Sequence, residues 1–153
     1  MNTVVFITGA STGFGRAAAE KFSRRGCRVF ATMRDTLGRN EEHRRALEEL
    51  GRAEHLPLEV LELDVTDDAS VRNAVGEALD RAGRLDVVIN NAGVAALGVT
   101  EAFTPEQFEQ LFNVNLYGPV RVNRAVLPHM KNASRARHQM RAASTLVRTR
   151  SNR

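Results

Sequence analysis

The chain has 153 residues, 42% of them hydrophobic, with a formal net charge of +4 and an isoelectric point near 10.2. Residues 1–130 hold 15 basic against 18 acidic residues, a balance of −3, while residues 131–153 hold seven basic residues and no acid. That content excludes disorder of the whole chain, disfavours a globally basic nucleic-acid-binding domain and suits one domain. Cys27 is the only cysteine, so an internal disulfide or a cysteine-cluster metal site is excluded. No apolar run approaches 18 residues, so no transmembrane helix or membrane partner is expected. The N-terminus reads as a first strand and not as a signal peptide, which makes the cytoplasm the default location.

Short apolar runs alternate with longer amphipathic stretches. Thr3–Thr8 is β-branched and aromatic, predicting a buried strand, and a helix follows over Gly13–Arg25 with Gly26 beyond its end. Arg28–Thr32 is a second strand and Glu41–Leu50 a second helix, closed by Gly51. Leu58–Leu63 is a third strand. Ser70–Arg81 is a third helix, with Val71, Val75 and Leu79 on one face and Gly83 after it. Leu85–Ile89 is a fourth strand. Thr104-Pro105-Glu106-Gln107 then starts a long helix, with an N-cap Thr, Pro at the first turn and Gln to complete a capping box. That helix is expected to run to about Leu127, where Pro128 disrupts it. Strand–helix alternation at this spacing predicts an α/β fold, a doubly wound parallel sheet of Rossmann type. It is incomplete at about four strands with flanking helices.

The first strand–helix turn, Thr8-Gly9-Ala10-Ser11-Thr12-Gly13-Phe14-Gly15, carries a chemical signal. A helix N-terminus offers unpaired N–H groups and a positive dipole end, which suit a pyrophosphate. Glycines let the backbone turn sharply and approach the phosphate. A bare Gly-rich turn is the alternative. No Gly-Lys-Ser/Thr follows, so a Walker A loop is excluded.

Thr8-Gly9-x-x-x-Gly13-x-Gly15 resembles the cofactor motif of the classical short-chain dehydrogenase/reductase family. Asp64-Val65, Asn90-Asn91-Ala92-Gly93 and Asn113-Val114-Asn115 resemble three further family motifs, in order. The resemblance covers residues 1 to about 130. It implies an NAD(P)-dependent oxidoreductase transferring hydride between nicotinamide and a carbonyl or secondary alcohol. Gly9, Ser11, Gly13, Phe14 and Gly15 would hold the pyrophosphate side, and Asp64 and Val65 the adenine. Asn91, Ala92 and Gly93 would line the central region, and Asn115 would be the one catalytic-site residue present.

The end of the second strand reads Ala31-Thr32-Met33-Arg34-Asp35. Arg34 favours NADP, because an Arg accepts a ribose 2′-phosphate. Asp35 on a ribose hydroxyl would give NAD instead, and a solvated Arg-Asp turn is the third reading.

The family's chemistry needs a Ser and a Tyr-x-x-x-Lys pair. The only tyrosine here, Tyr117, is followed four residues later by Arg121. Tyr117 is therefore expected to be a helix-packing residue. A catalytically inactive dinucleotide-binding fragment or interaction module is the alternative function, and an exposed sheet edge would make it poorly soluble. Full-length relatives are expected to be homo-oligomers. Residues 131–153 are read as an out-of-frame or disordered basic tail. A solvated tail and a short basic helix are the alternatives, and no strand is expected around Ser134 or Ser144.

Overall fold

The computed structural model describes residues 2–132, 140–142 and 145–147. Strand β1, Val4–Ile7, is buried at every residue. It lies between β2, Arg28–Met33, and β4, Val87–Ile89, while β3, Leu58–Glu62, pairs with the far side of β2. The order is β3-β2-β1-β4, and every pairing is parallel. Three parallel strands with helical crossovers form one βαβαβ half of a doubly wound α/β fold, and β4 is the first strand of the other half.

Strand side chains alternate between two cores, as the two-residue pleat requires. Val4, Phe6 and Phe30 face one core with Val71, Val75 and Ala78 of α3 (Asp68–Ala82) and Val122 and Val126 of α5 (Gly118–Asn132). Val5, Ile7, Val29, Ala31 and Met33 face the other with Ala19 of α1 (Gly13–Arg24) and Leu47 of α2 (Glu41–Ala53). Burial on both faces explains the unbroken apolar runs.

Local signals set the helix ends. Gly83 closes α3 in the left-handed region at φ +72°. Helix α3 begins two residues before the expected Ser70, because the Asp67 carboxylate accepts from the Ala69 N–H at 2.8 Å. Helix α2 runs past Gly51, which packs beside Leu58 instead of ending it. Helix α4, Pro105–Phe112, carries the expected capping box. The Thr104 hydroxyl accepts from the Gln107 N–H at 3.3 Å, and Gln107 Oε1 accepts from the Thr104 N–H at 2.9 Å.

Three features depart from expectation. The long helix is not regular: Asn113–Tyr117 is a π-helical turn between α4 and α5. Pro119 supplies one local cause, since it has no N–H to give the Asn115 carbonyl. Pro128 does not end α5, which continues to Asn132. Pro128 lies on the solvent face, while Val122, Val126 and Met130 bury the opposite stripe. The one hydrogen bond it removes would have gone to the carbonyl of exposed Arg124. The short strands β5, Met140–Ala142, and β6, Thr145–Val147, pair antiparallel in a separate ribbon flanking Ser144, where no strand was expected. Ser134 lies outside the described residues.

Candidate functional site

The carboxyl ends of all four strands open on one side of the sheet, where open α/β folds bind ligands. The first turn there is built around Thr8, which is 1% exposed. Its hydroxyl accepts from the Asn91 and Ala92 N–H groups, both at 3.0 Å. The Asn91 amide Nδ2 donates back to the Thr8 and Gly9 carbonyls at 3.1 and 2.9 Å. A Cβ on Gly9 would stand 2.6 Å from Ala92 Cα, and one on Gly15 would stand 2.3 Å from the Gly9 carbonyl oxygen. These two glycines let β1, β4 and α1 meet without side chains between them.

The start of α1 is left open. Thr12 holds the N-cap position in extended geometry without a side-chain cap, and the first turn contains no acid. Its N–H groups and dipole therefore face outward unneutralised, a ready seat for an anion.

At the end of β2, Arg34 and Asp35 diverge. Asp35 adopts φ +51°, and its carboxylate accepts from the Arg39 N–H at 3.0 Å. The Arg34 guanidinium makes no hydrogen bond or ion pair among the described residues. After β3, Asp64 Oδ1 accepts from the Thr66 N–H and hydroxyl at 2.8 and 2.7 Å. The Asp64 N–H donates to the Ser70 hydroxyl at 2.9 Å.

After β4, the two asparagines part ways. Asn90 is buried, and its Nδ2 donates to Asn123 Oδ1 of α5 at 3.0 Å. Asn115, in the π-helical turn, grips the backbone of Val94. Its Oδ1 accepts from the Val94 N–H at 2.9 Å, and its Nδ2 donates to the Val94 carbonyl at 2.8 Å. The Asn113 carbonyl accepts from the Gly118 N–H and from Arg121, whose Nη1 also reaches the Val65 carbonyl. A Cβ on Gly118 would stand 2.9 Å from Val65 Cγ2, so helix and β3–α3 turn touch closely.

These elements enclose a cavity of roughly 310 Å³. Of the residues expected at a cofactor site, Gly9, Ser11, Arg34, Asp64, Val65, Asn91, Ala92 and Gly93 line it. Gly13, Phe14 and Gly15 lie at the α1 start outside that lining, with Phe14 85% exposed. Asn115 stands behind Val94. Thr12, which the Gly-rich turn offers as a second hydroxyl beside Ser11, also lines the cavity, and Met33, Arg39, Asn40, Leu63, Val94 and Val114 line it without having been singled out. Met33 and Leu63 are strand-end positions that alternation could have found. Arg39 and Asn40 arrive only through the Asp35 turn.

Tyr117 is not packed within the helix layer: it is 54% exposed, with Leu116 and Val120 exposed beside it. The π-helical turn explains this correction, because it rotates the register between α4 and α5. Among the described residues no cluster of His, Cys, Asp or Glu could hold a metal, and no helix is long and apolar enough to cross a membrane.

Residues 3–138 match the family model described as short chain dehydrogenase. The chain is 37% identical over 134 residues to 3-ketodihydrosphingosine reductase of Bacteroides thetaiotaomicron, covering 88% of this chain and 44% of that protein. A metagenomic short-chain oxidoreductase solved in complex with NADP is 34% identical, with a TM-score of 0.79 over 89% of this chain and 60% of that one. A 3-ketoacyl-(acyl-carrier-protein) reductase from Brucella melitensis, complexed with NADH, is 32% identical, with a TM-score of 0.76 over 88% and 53%. The chain spans about half the length of the relatives it matches.

Proposed function

Because the chain belongs to the short chain dehydrogenase family, we propose that it forms the NAD(P)-binding part of an oxidoreductase that interconverts a carbonyl and a secondary alcohol. NADP is the preferred cofactor. The observation that carries this choice is the division between Arg34 and Asp35. A free acid at this place would take the ribose 2′-hydroxyl of NAD. Asp35 is instead committed to the Arg39 N–H. Arg34 lines the cavity with a guanidinium that has no partner among the described residues, planar and suited to the 2′-phosphate of NADP. The related structures hold NADP in one case and NADH in another, so kinship leaves both cofactors open.

The site fits a dinucleotide. Gly9 and Ser11 would hold the pyrophosphate with the open α1 start, where Gly13, Phe14 and Gly15 sit. Asp64 and Val65 would hold the adenine, and Asn91, Ala92 and Gly93 the central region. The nicotinamide, when bound, supplies the hydride donor or acceptor. Asn115 acts as a positioning residue through its two bonds to Val94. The cytoplasm is its proposed location, and homo-oligomers the proposed assembly of full-length relatives.

A second reading has its own support: a dinucleotide-binding part that does not turn over alone. General acid–base catalysis in this family needs a Tyr beside a Lys. Here Tyr117 has Arg121 four residues on, and Arg121 is engaged with the Val65 and Asn113 carbonyls. An Arg also cannot give up a proton as Lys can.

Titration with NADPH and NADH, followed by turnover assays on aldehydes and ketones, tests both readings. Arg34→Ala is expected to weaken NADPH about tenfold or more, the scale of one charge-assisted hydrogen bond, and to leave NADH unchanged. Unchanged NADPH affinity refutes the cofactor choice. Turnover by this chain refutes the second reading.

A further inference from the structure

We propose that Arg39 is a second phosphate ligand, closing a two-guanidinium fork with Arg34 around the 2′-phosphate of the bound dinucleotide. The inference rests on the NADP reading above and adds a residue from the β2–α2 turn.

That turn is a clasp centred on Asp35. The Asp35 carbonyl accepts from the Gly38 and Asn40 N–H groups at 3.3 and 3.0 Å. Its carboxylate accepts from the Arg39 N–H, and Asn40 Nδ2 donates to the Arg34 carbonyl at 2.7 Å. Four hydrogen bonds thus hold the Arg39 backbone relative to that of Arg34. A Cβ on Gly38 would stand 2.4 Å from Asp35 Oδ1, so a side chain there would push the Asp35 carboxylate from its place on the Arg39 N–H. The result is a hydrogen-bonded loop that carries both arginines, and both line the cavity.

The nearby carboxylates are oriented by other groups, and of them only Glu41 is paired with a cation. Asp35 holds Arg39 N–H, Glu41 pairs with Arg45 at 2.5 Å, Glu62 accepts from the Thr36 hydroxyl at 2.5 Å, and Asp64 accepts from Thr66. Neither Arg34 nor Arg39 has a guanidinium partner among the described residues. Both guanidiniums line the cavity without an ion-pair partner among the described residues, which favours a ligand whose negative charge exceeds that of a single carboxylate. A phosphate monoester carries nearly two charges at neutral pH and three terminal oxygens, more than one guanidinium fork can satisfy. NAD presents only hydroxyls at that place. The pyrophosphate has a separate seat at the α1 start.

The full chain, Arg34→Ala, Arg39→Ala, Arg39→Lys and Gly38→Ala are titrated with NADPH, NADH and adenosine 2′,5′-bisphosphate. Arg39→Ala is expected to weaken NADPH and the bisphosphate about five- to tenfold, near the lower end for an exposed charge-assisted bond, and NADH less than about twofold. Arg39→Lys retains part of the affinity, because the charge remains without the fork. Gly38→Ala weakens the same two ligands by displacing the clasp. An unchanged urea midpoint for Arg39→Ala separates the ligand effect from a structural one. If Arg34→Ala weakens NADPH and Arg39→Ala does not, the inference falls and the NADP reading stands. Equal loss of NADPH and NADH in Arg39→Ala also overturns it. If the wild type does not prefer NADPH and Arg34→Ala changes nothing, or if no nucleotide binds, the underlying reading falls with it.

Discussion

Replacing Thr8 by Val tests whether one hydroxyl holds the floor of the cavity. Val has almost the same shape, so the core beside β1 stays filled. What disappears is the only acceptor among the described residues for two backbone N–H groups, those of Asn91 and Ala92, each at 3.0 Å. A buried donor left unpaired costs about 1–3 kcal/mol. Both residues border the cavity and are only partly buried, so water relieves some of this. The lower part of the range applies, about 2–3 kcal/mol for the pair. The hydroxyl's own donation to the Ile89 carbonyl, at 3.5 Å, is too long to add much. Against a total stability of about 5–15 kcal/mol, the loss is large. Urea unfolding followed by circular dichroism should show the midpoint falling by about 1–2 M at unchanged slope. Thr8→Ser should restore most of it, since the acceptor returns. A Thr8→Val midpoint equal to wild type, or a Thr8→Ser variant as damaged as Thr8→Val, would refute the reasoning.

Four other outcomes are expected. Gly15→Ala should destabilise by about 1–3 kcal/mol, as overpacking does, because its Cβ meets the Gly9 carbonyl and Asn91 Nδ2. Gly76→Ala, mid-helix with nothing within 4 Å, should instead stabilise by about 0.5–1 kcal/mol; thermal midpoints read both. Burial alone would push the Glu59 carboxyl up, but Arg81 and Arg28 at 2.9 and 2.8 Å hold it below the ordinary range. A depressed folded value stabilises the fold above the unfolded value of about 4.3, and this is lost as pH falls through the folded one. The stability gap between wild type and Glu59→Gln should therefore close below about pH 4; a gap constant from pH 7 to 3 would count against the pairing. Finally, Phe112, Leu116 and Val120 form an exposed apolar stripe along α4 and α5. Sedimentation should show concentration-dependent association that Phe112→Glu reduces. A wild-type monomer at every concentration would contradict this.

The sheet and its helices were legible because their signals are local or periodic. Val4–Ile7 reads as a strand buried on both faces because all four residues are apolar. The Thr104–Gln107 capping box needs only residues three apart, and the left-handed Gly83 needs only itself. Much of the cavity was legible for a similar reason: parallel strands bring their carboxyl ends to one rim, so the residues after each strand must meet. Gly9, Asp64 and Asn91 are such residues. Helix continuity past Pro128 was not legible, since it depends on which face α5 buries.

Sequence by itself determined the strand–helix order, the rim and the family. Tertiary structure alone decided what the polar groups at that rim are doing. Arg34 and Asp35 are adjacent and equally plausible ribose partners in the sequence. A left-handed backbone at Asp35 then turns its carboxylate onto the Arg39 N–H and leaves Arg34 without a partner among the described residues. Asn115 is an unremarkable helical residue until the π-helical turn delivers it to Val94, 21 positions away. A hydrogen bond has one direction and a short range. Which of several possible partners takes it is fixed only when the backbones carrying them have been packed together.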